Sequence, residues 1–529
     1  MNPSTLIRYH DSLCFMQAYP GSAAVLNLVN SELGVFNARI EQFKRKNGDD
    51  DNRLDDTSIV GTRINYPYSY IMSRWLLSNF SADIDIDWED YAGKEDDPLS
   101  GILSILALYP ENDGIDDEEI STIEWIEKAR GANQTSLAWL LNRLHSAEIP
   151  NHIRQILYDD AELGLTWNLG SSDSSRTLAR RKTEGIFYQK DTMRKSRIDL
   201  RNTPGKASPE LNLVSRRQGV VVVNRLIKAL LTRHRELYPV LYANPGEVYE
   251  TSPGRGLTIH ILGMRPDDRM PLETNYSALL IKNGAPIGYG IAVLFFERCE
   301  IAINVFDTFR SGEASIIFEH FFRLFYHHFG AREFIMRKWQ VGHENEEGLK
   351  SGSFWFYYKL GFRSIDPAID KLAAVEMRKI KADKLYRSEL KTLKKLAMND
   401  MVINLGPTRQ KPYKELRVAD IGMAVTRMIA DKYDGDGALA NEFSISESMA
   451  ALNDPDLRSW NRSERLQFSR FCPILAAIPG LAGWNSADKQ QLLDIIRARG
   501  ADGEKEYVRL TQSHTKLRST LEKLAGGGC

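Results

Sequence analysis

Between Leu257 and Phe329 the chain runs through four strand-length apolar segments and then straight into an aromatic helix. The segments LTIHILGM (257–264), YSALLIKN (276–283), IGYGIAVLFF (287–296) and EIAINVF (300–306) are rich in β-branched and aromatic residues. Asn283-Gly284 and an Arg-Cys step (298–299) join the last three, connectors short enough for hairpins, so these runs predict an antiparallel meander. The next segment, SIIFEHFFRLFYHHF (315–329), has helical spacing and stops at Gly330. A further strand, EFIMRKWQV (333–341), a polar loop and a short aromatic helix (354–360) ending at Gly361 follow. A helix returning to a new strand after a meander excludes an all-β or all-α core. The pattern predicts an α/β (α+β) fold, a mixed sheet with helices on both faces.

The flanks differ in charge and texture. Residues 1–170 hold 13 Lys/Arg against 28 Asp/Glu, whereas residues 171–250 hold 16 against 8. YIMSRWLLSNF (70–80), STIEWIEKA (121–129) and SLAWLLNRLH (136–145) have helical apolar spacing, and Ser121 with Glu124 resembles a capping box. The Pro/Gly/Ser stretch RNTPGKASPE (201–210) reads as a linker, and a helix is expected from Arg216 to about Tyr238. Residues 369–397 read as one long helix with nine Lys/Arg, and the chain after Pro407 as helical to its end. The expected organisation is a mainly helical acidic module (1–205), a central domain (211–368) and a helical module (369–529) that opens with the basic helix. That helix has two readings, docking on the acidic module or contact with tRNA.

Of the 529 residues 43% are hydrophobic, enough for large cores without disulfides. The apolar runs fall short of the ~20 residues a membrane span needs, and the start lacks a basic region followed by an apolar run. Cys14, Cys299, Cys472 and Cys529 stand far apart and form no CxxC pair, so a cytoplasmic location is expected. A net charge of −1 argues against a dedicated nucleic-acid binder. The sequence carries no signal of oligomeric state.

The stretch EIAINVFDTFRSGEASIIFEHFF (300–322) is a strand, a turn and a helix start in immediate succession. Helix-opening amides, Gly312 and the Arg310 charge make this turn suited to an anion, although it also serves as a plain connector. Here the chain resembles the GNAT superfamily of N-acetyltransferases. That family's pyrophosphate loop, Q/R-x-x-G-x-G/A, lies between its fourth strand and third helix. Phe309, Arg310, Ser311, Gly312, Glu313 and Ala314 occupy the corresponding positions. Gly312 and Ala314 match, Phe309 departs at the first position, and Glu313 adds an acid. A second motif, Y-x-K-x-G-F, is matched by Tyr357, Lys359, Gly361 and Phe362. The resemblance covers about 257–365 plus the preceding helix.

The resemblance implies transfer of an acyl group from acetyl-CoA or another acyl-CoA to an amine of a small molecule or peptide. It implies cofactor binding by Val305, Phe306, Arg310, Ser311, Gly312, Glu313 and Ala314. It also implies that Tyr357 is the general acid and a fourth-strand glutamate, here Glu300, the base. By alternation Glu300 shares a face with Ala302 and Asn304. His343, Glu344, Glu346 and Glu347 are further base candidates. Tyr357 also reads as core filling, Glu300 as a hairpin surface acid. His320, His327 and His328 lack metal-site spacing, and no metal site is expected. GSSDSSRTLARRK (170–182) has hydroxyls and cations suited to an anionic ligand, and DGDG (434–437) lacks calcium-loop spacing. Two alternative functions stay open: an aminoacyl-tRNA-dependent transferase and a catalytically inactive scaffold or ligand sensor.

Overall fold

The computed structural model describes residues 2–48, 52–94, 97–183, 185–193, 198–383, 385–406 and 415–526. The chain divides into two compact units. One comprises 1–191, 224–241 and 282–286; the other comprises 192–223, 242–281 and 287–529. No helix among the described residues is long and apolar enough to cross a membrane.

The first unit is mainly helical. The three amphipathic segments form the helices Tyr70–Phe80, Thr122–Ala129 and Ser136–Ser146. Ser121 caps the second, its hydroxyl accepting from the Glu124 amide at 3.2 Å. The unit also holds an antiparallel sheet, β1 (Arg63–Tyr66), β2 (Ile84–Ile86) and β3 (Leu165–Asn168), in the order β1-β3-β2. Strands of three or four residues leave too few alternations to be legible in sequence.

The second unit is a mixed α/β body around a nine-stranded sheet. Its strands are β4 (Asn212–Leu213), β5 (Ala243–Gly254), β6 (Leu257–Met264), β7 (Thr274–Lys282), β8 (Ala285–Phe295), β9 (Arg298–Val305), β10 (Glu333–Met336), β11 (Arg363–Ser364) and β12 (Met401–Asn404). Their order is β11-β12-β10-β9-β8-β7-β6-β5-β4. The expected meander is present. Asn283 and Gly284 turn β7 into β8 with φ of 47° and 84°, the pair of positive values a two-residue type I′ hairpin requires.

β9 and β10 run parallel, which obliges the chain to cross over. The crossover is the helix Ala314–His328, whose Ile317, Phe318, Phe321, Phe322, Leu324 and Phe325 are buried. Phe322 packs on Phe334 of β10 and on Phe362, with ring centroids 4.9 and 5.7 Å apart. Gly290 of β8 admits this helix, since a Cβ there would lie 3.0 Å from the Phe321 ring.

Five expectations are corrected. Residues 201–210 are no free linker. Leu200–Gly205 forms a 3₁₀ turn, Lys206 pairs with Glu319, and the Arg323 and His328 side chains bond the carbonyls of Ala207 and Pro209. The helix from Arg216 stops at Leu231, with His234 at a φ of 54°. The strand expected over 333–341 ends at Met336, because Arg337 is drawn to three carboxylates and the Lys338 amide is capped by Asp400 at 2.8 Å. The long basic helix is broken into Pro367–Ala382 and Leu390–Leu396. Buried Glu376 collects Lys379, the Tyr386 hydroxyl and the Ser388 hydroxyl, which turns the chain back between the pieces. β12 then joins the central sheet, so the stretch 369–529 is not wholly helical.

Candidate active site

β9 pairs with β10 through Arg298, Cys299 and Glu300, opposite Glu333, Phe334 and Ile335. β10 ends one residue later, while β9 continues to Val305. The β10-facing edge of β9 from Ala302 to Val305 therefore has no strand partner among the described residues.

Beyond this edge the loop is tightly anchored. Val305 and Phe306 are buried, and the Phe306 amide donates to the Ile287 carbonyl at 2.9 Å. Asp307–Phe309 forms a 3₁₀ turn, and the Gly312 amide donates to the Phe309 carbonyl at 2.9 Å. Phe309 is buried, so an apolar residue at this departure from the family pattern serves as an anchor. Arg310 and Ser311 are exposed. Arg310 is shared between Asp307, at 2.7 Å, and Glu347. Glu313 occupies the N-cap position of the 314–328 helix without a side-chain cap bond. Its buried carboxylate turns instead to Arg255, at 2.5 Å. The added acid is thus neutralised by a guanidinium, and it does not cap the amides that open the helix. Ala314, the first helical residue, is half-buried.

The same sheet borders a cavity of about 900 Å³. Its floor includes Val293 and Phe295 of β8, Glu300 of β9 and Ile335 of β10; Glu273, Arg337 and Glu415 project from loops around it. Arg337 is the electrostatic hub: its guanidinium meets Glu300 at 2.7 Å and both Asp400 and Glu415 at 2.8 Å. Partial burial alone would lower its pKa, but the hydrogen bonds to Glu415 and Glu300 outweigh burial and hold it above the ordinary arginine value.

Glu273 differs from the other acids. Its carboxylate makes no hydrogen bond or ion pair with a described residue, while burial, then the Glu300 charge, raises its pKa. Sequence reading pointed to Glu300 as the fourth-strand glutamate that the resemblance implies. It missed Glu273, Arg337 and Glu415, which lie in irregular segments far apart in the chain and carry no local motif.

Tyr357 sits on the helix Ser353–Leu360, which Gly361 terminates at a φ of 114°. Its ring packs against Phe318, Phe356 and Phe362 at centroid distances of 6.1, 5.4 and 6.0 Å. Burial pushes its phenol well above the usual tyrosine range. It is not among the residues lining the 900 Å³ cavity.

The other candidates separate. His343 stacks near Trp339, with Glu344 3.8 Å from its ring. Glu346 pairs with Lys350 at 3.1 Å. Burial lowers His320 to about 4, and His328 bonds the Pro209 carbonyl at 2.6 Å. Among the described residues no group of three His, Cys, Asp or Glu side chains gathers as a metal site would. Cys14, Cys299 and Cys472 are free and buried, and Cys529 lies outside the described residues. The DGDG stretch is a helix-to-helix corner: Asp434 ends one helix, and Asp436 caps the next by accepting from the Leu439 amide.

No protein-family model matches the chain, no curated protein matches it, and no solved structure matches it.

Proposed function

We propose that the second unit is an N-acyltransferase of the GNAT type, taking its acyl group from a coenzyme A thioester and giving it to an amine. The observation that carries this reading is the end of β10 at Met336 while its parallel neighbour β9 runs on to Val305. It leaves that edge of β9 without a strand partner among the described residues, in the strand that leads to a helix start with no side-chain cap, and the same strand borders a cavity lined by three glutamates and four cations. The two sequence motifs, around Gly312 and Tyr357, support it independently.

The residues present fit an acyl-CoA. The 314–328 helix opens with no side-chain cap at Glu313, which leaves its positive dipole end to a diphosphate, and Glu313 is neutralised by Arg255. Arg310 carries the added charge, by exchange from its exposed partners Asp307 and Glu347. The open edge of β9 offers main-chain donors and acceptors to an extended amide-bearing chain. When bound, the thioester supplies an activated carbonyl.

An amine must lose a proton before it attacks. Glu273, whose carboxylate is raised by burial and makes no hydrogen bond or ion pair with a described residue, would accept that proton, with Glu300 of the same cavity held by Arg337. This assigns the base role chiefly to Glu273 rather than to Glu300. The leaving thiolate needs a proton in return. Tyr357 keeps its proton across the neutral range, and closer approach of its hydroxyl to a bound ligand would make it the donor.

Calorimetry of the full chain with acetyl-CoA and longer acyl-CoAs tests donor binding. Thiol release across a panel of primary amines tests transfer. Saturable heat with at least one donor is expected, together with turnover that falls in Glu273→Gln. Absence of heat with every donor would sink the reading and leave a scaffold; heat without turnover would indicate a ligand sensor.

A further inference from the structure

A second, much smaller cavity lies in the first unit and shares no lining residue with the 900 Å³ cavity. It has a volume of about 110 Å³ and is bordered by the loop around 173–181, by residues 225–229 and by Pro286. Its polar lining is Asp173, Ser174, Arg180, Arg181, Arg225 and Lys228, four cations against one carboxylate. Asp173 is already spoken for: Lys228 lies 2.5 Å from it and Arg181 4.0 Å. The other two cations meet no carboxylate among the described residues. Arg180 Nε donates to the Asn283 carbonyl at 2.9 Å, and Arg225 donates to the Gly284 carbonyl. The tight turn at Asn283-Gly284 thus holds both guanidiniums by main-chain oxygens and supplies no full negative charge.

Like charges gathered against a half-buried wall repel one another. Burial, and then the charge of Arg181, pull the Arg225 pKa down to about 10. Two donors are also left over. Among the described residues Arg225 Nε is buried without a partner, and so is the hydroxyl of Ser174, a residue 2% exposed. A buried hydroxyl without a partner is uncommon and calls for one. One water needs roughly 10–15 Å³ of such space, so this cavity has room for a group of several atoms. Guanidiniums, an ammonium and a hydroxyl outnumber the two oxygens of a carboxylate and suit the three terminal oxygens of a phosphate.

We infer that this cavity binds a phosphate group, either free inorganic phosphate or the head of a small phosphomonoester, through Arg181, Arg225, Lys228 and the Ser174 hydroxyl. The bound dianion offsets the surplus charge and gives the two stranded donors their acceptor. The loop is the stretch GSSDSSRTLARRK, whose hydroxyls and cations suit an anion in sequence; the fold adds Arg225 and Lys228 from a helix some fifty residues on.

Calorimetry of the full chain against inorganic phosphate, glycerol 3-phosphate and acetate, at matched ionic strength, tests it. Saturable one-to-one heat with a phosphate and none with acetate is expected. Ser174→Ala keeps every charge and should weaken binding several-fold. Arg181→Gln, at an exposed position that threatens no core, should weaken it about tenfold, the value of one charge-assisted hydrogen bond. Tighter binding of the inorganic ion assigns the free anion, and tighter binding of the ester assigns the phosphomonoester. No saturable heat with either, equal heat with acetate, or binding unchanged in both variants overturns the inference. Native thermal melts of the variants accompany the titrations, so that lost binding is separated from lost fold.

Discussion

Glu273 and Glu300 line one cavity, yet their environments set them apart. Glu300 is committed to Arg337, whereas the Glu273 carboxylate has no hydrogen-bond or ion-pair partner among the described residues and is raised chiefly by burial. A carboxyl raised in the folded state contributes stability that is fully present below the ordinary glutamate pKa. That contribution is lost as pH climbs through the folded value, because the buried charge must then form. Glu273→Gln removes the charge and keeps the shape. Its melting temperature should exceed that of the parent at pH 7, and the difference should vanish near pH 4. If Glu273 is also the base, the more stable variant is the less active one. A variant that melts lower at pH 7 would show that the carboxylate is satisfied after all, and would remove the ground for a proton-accepting role. Glu300 was legible because the resemblance points to a glutamate on that strand, and the strand's period shows which residues share its face. Glu273 was not, since nothing in the sequence joins position 273 to positions 337 and 415.

At the scale of elements, the strand–turn–helix–strand core was legible because each piece satisfies its own backbone rules. The Asn-Gly turn demands positive φ, the Phe-rich helix ends at Gly330, and the parallel strand demands a crossover. The failures occur where tertiary partners override local pattern. Arg337 ends β10 by leaving for three carboxylates, and buried Glu376 breaks a helix that its charge pattern alone would continue. The helix-on-sheet contact makes a sharp prediction. A Cβ at Gly290 would stand 3.0 Å from Phe321 and 3.4 Å from the Ala278 side chain, within a packed core. Gly290→Ala should therefore destabilise the protein by about 1–3 kcal/mol, the usual penalty of overpacking. Phe321→Leu trims the ring that is in the way. In a denaturation double-mutant cycle the two changes should be less harmful together than their sum. Strict additivity would mean that the helix does not rest on Gly290.

Within the second unit, the C-terminal helices belong to the same compact body as the sheet, which no compositional boundary announced. The reason is a buried ionic cluster built from distant parts of the chain. Arg269 lies 3.4 Å from Glu247 and 3.3 Å from Glu504, while Arg499 lies 2.6 Å from Glu504. The Glu504 amide and the Tyr276 hydroxyl both donate to Glu247, at 2.7 and 3.2 Å. Removing one member strands the others, so Arg499→Met should cost about 3–5 kcal/mol. Glu247→Gln asks a finer question, because it keeps an acceptor for the amide and the phenol. Burial first, and the Glu504 charge second, raise the Glu247 carboxyl, with Arg269 opposing. Its contribution to stability is thus full below the ordinary glutamate range and declines as pH rises towards and past neutrality. The parent's melting temperature should fall over that span, and the fall should flatten in Glu247→Gln. An unaltered slope would place Glu247 permanently in its ionised form, with the two guanidiniums balancing both acids at every pH at which the protein is folded.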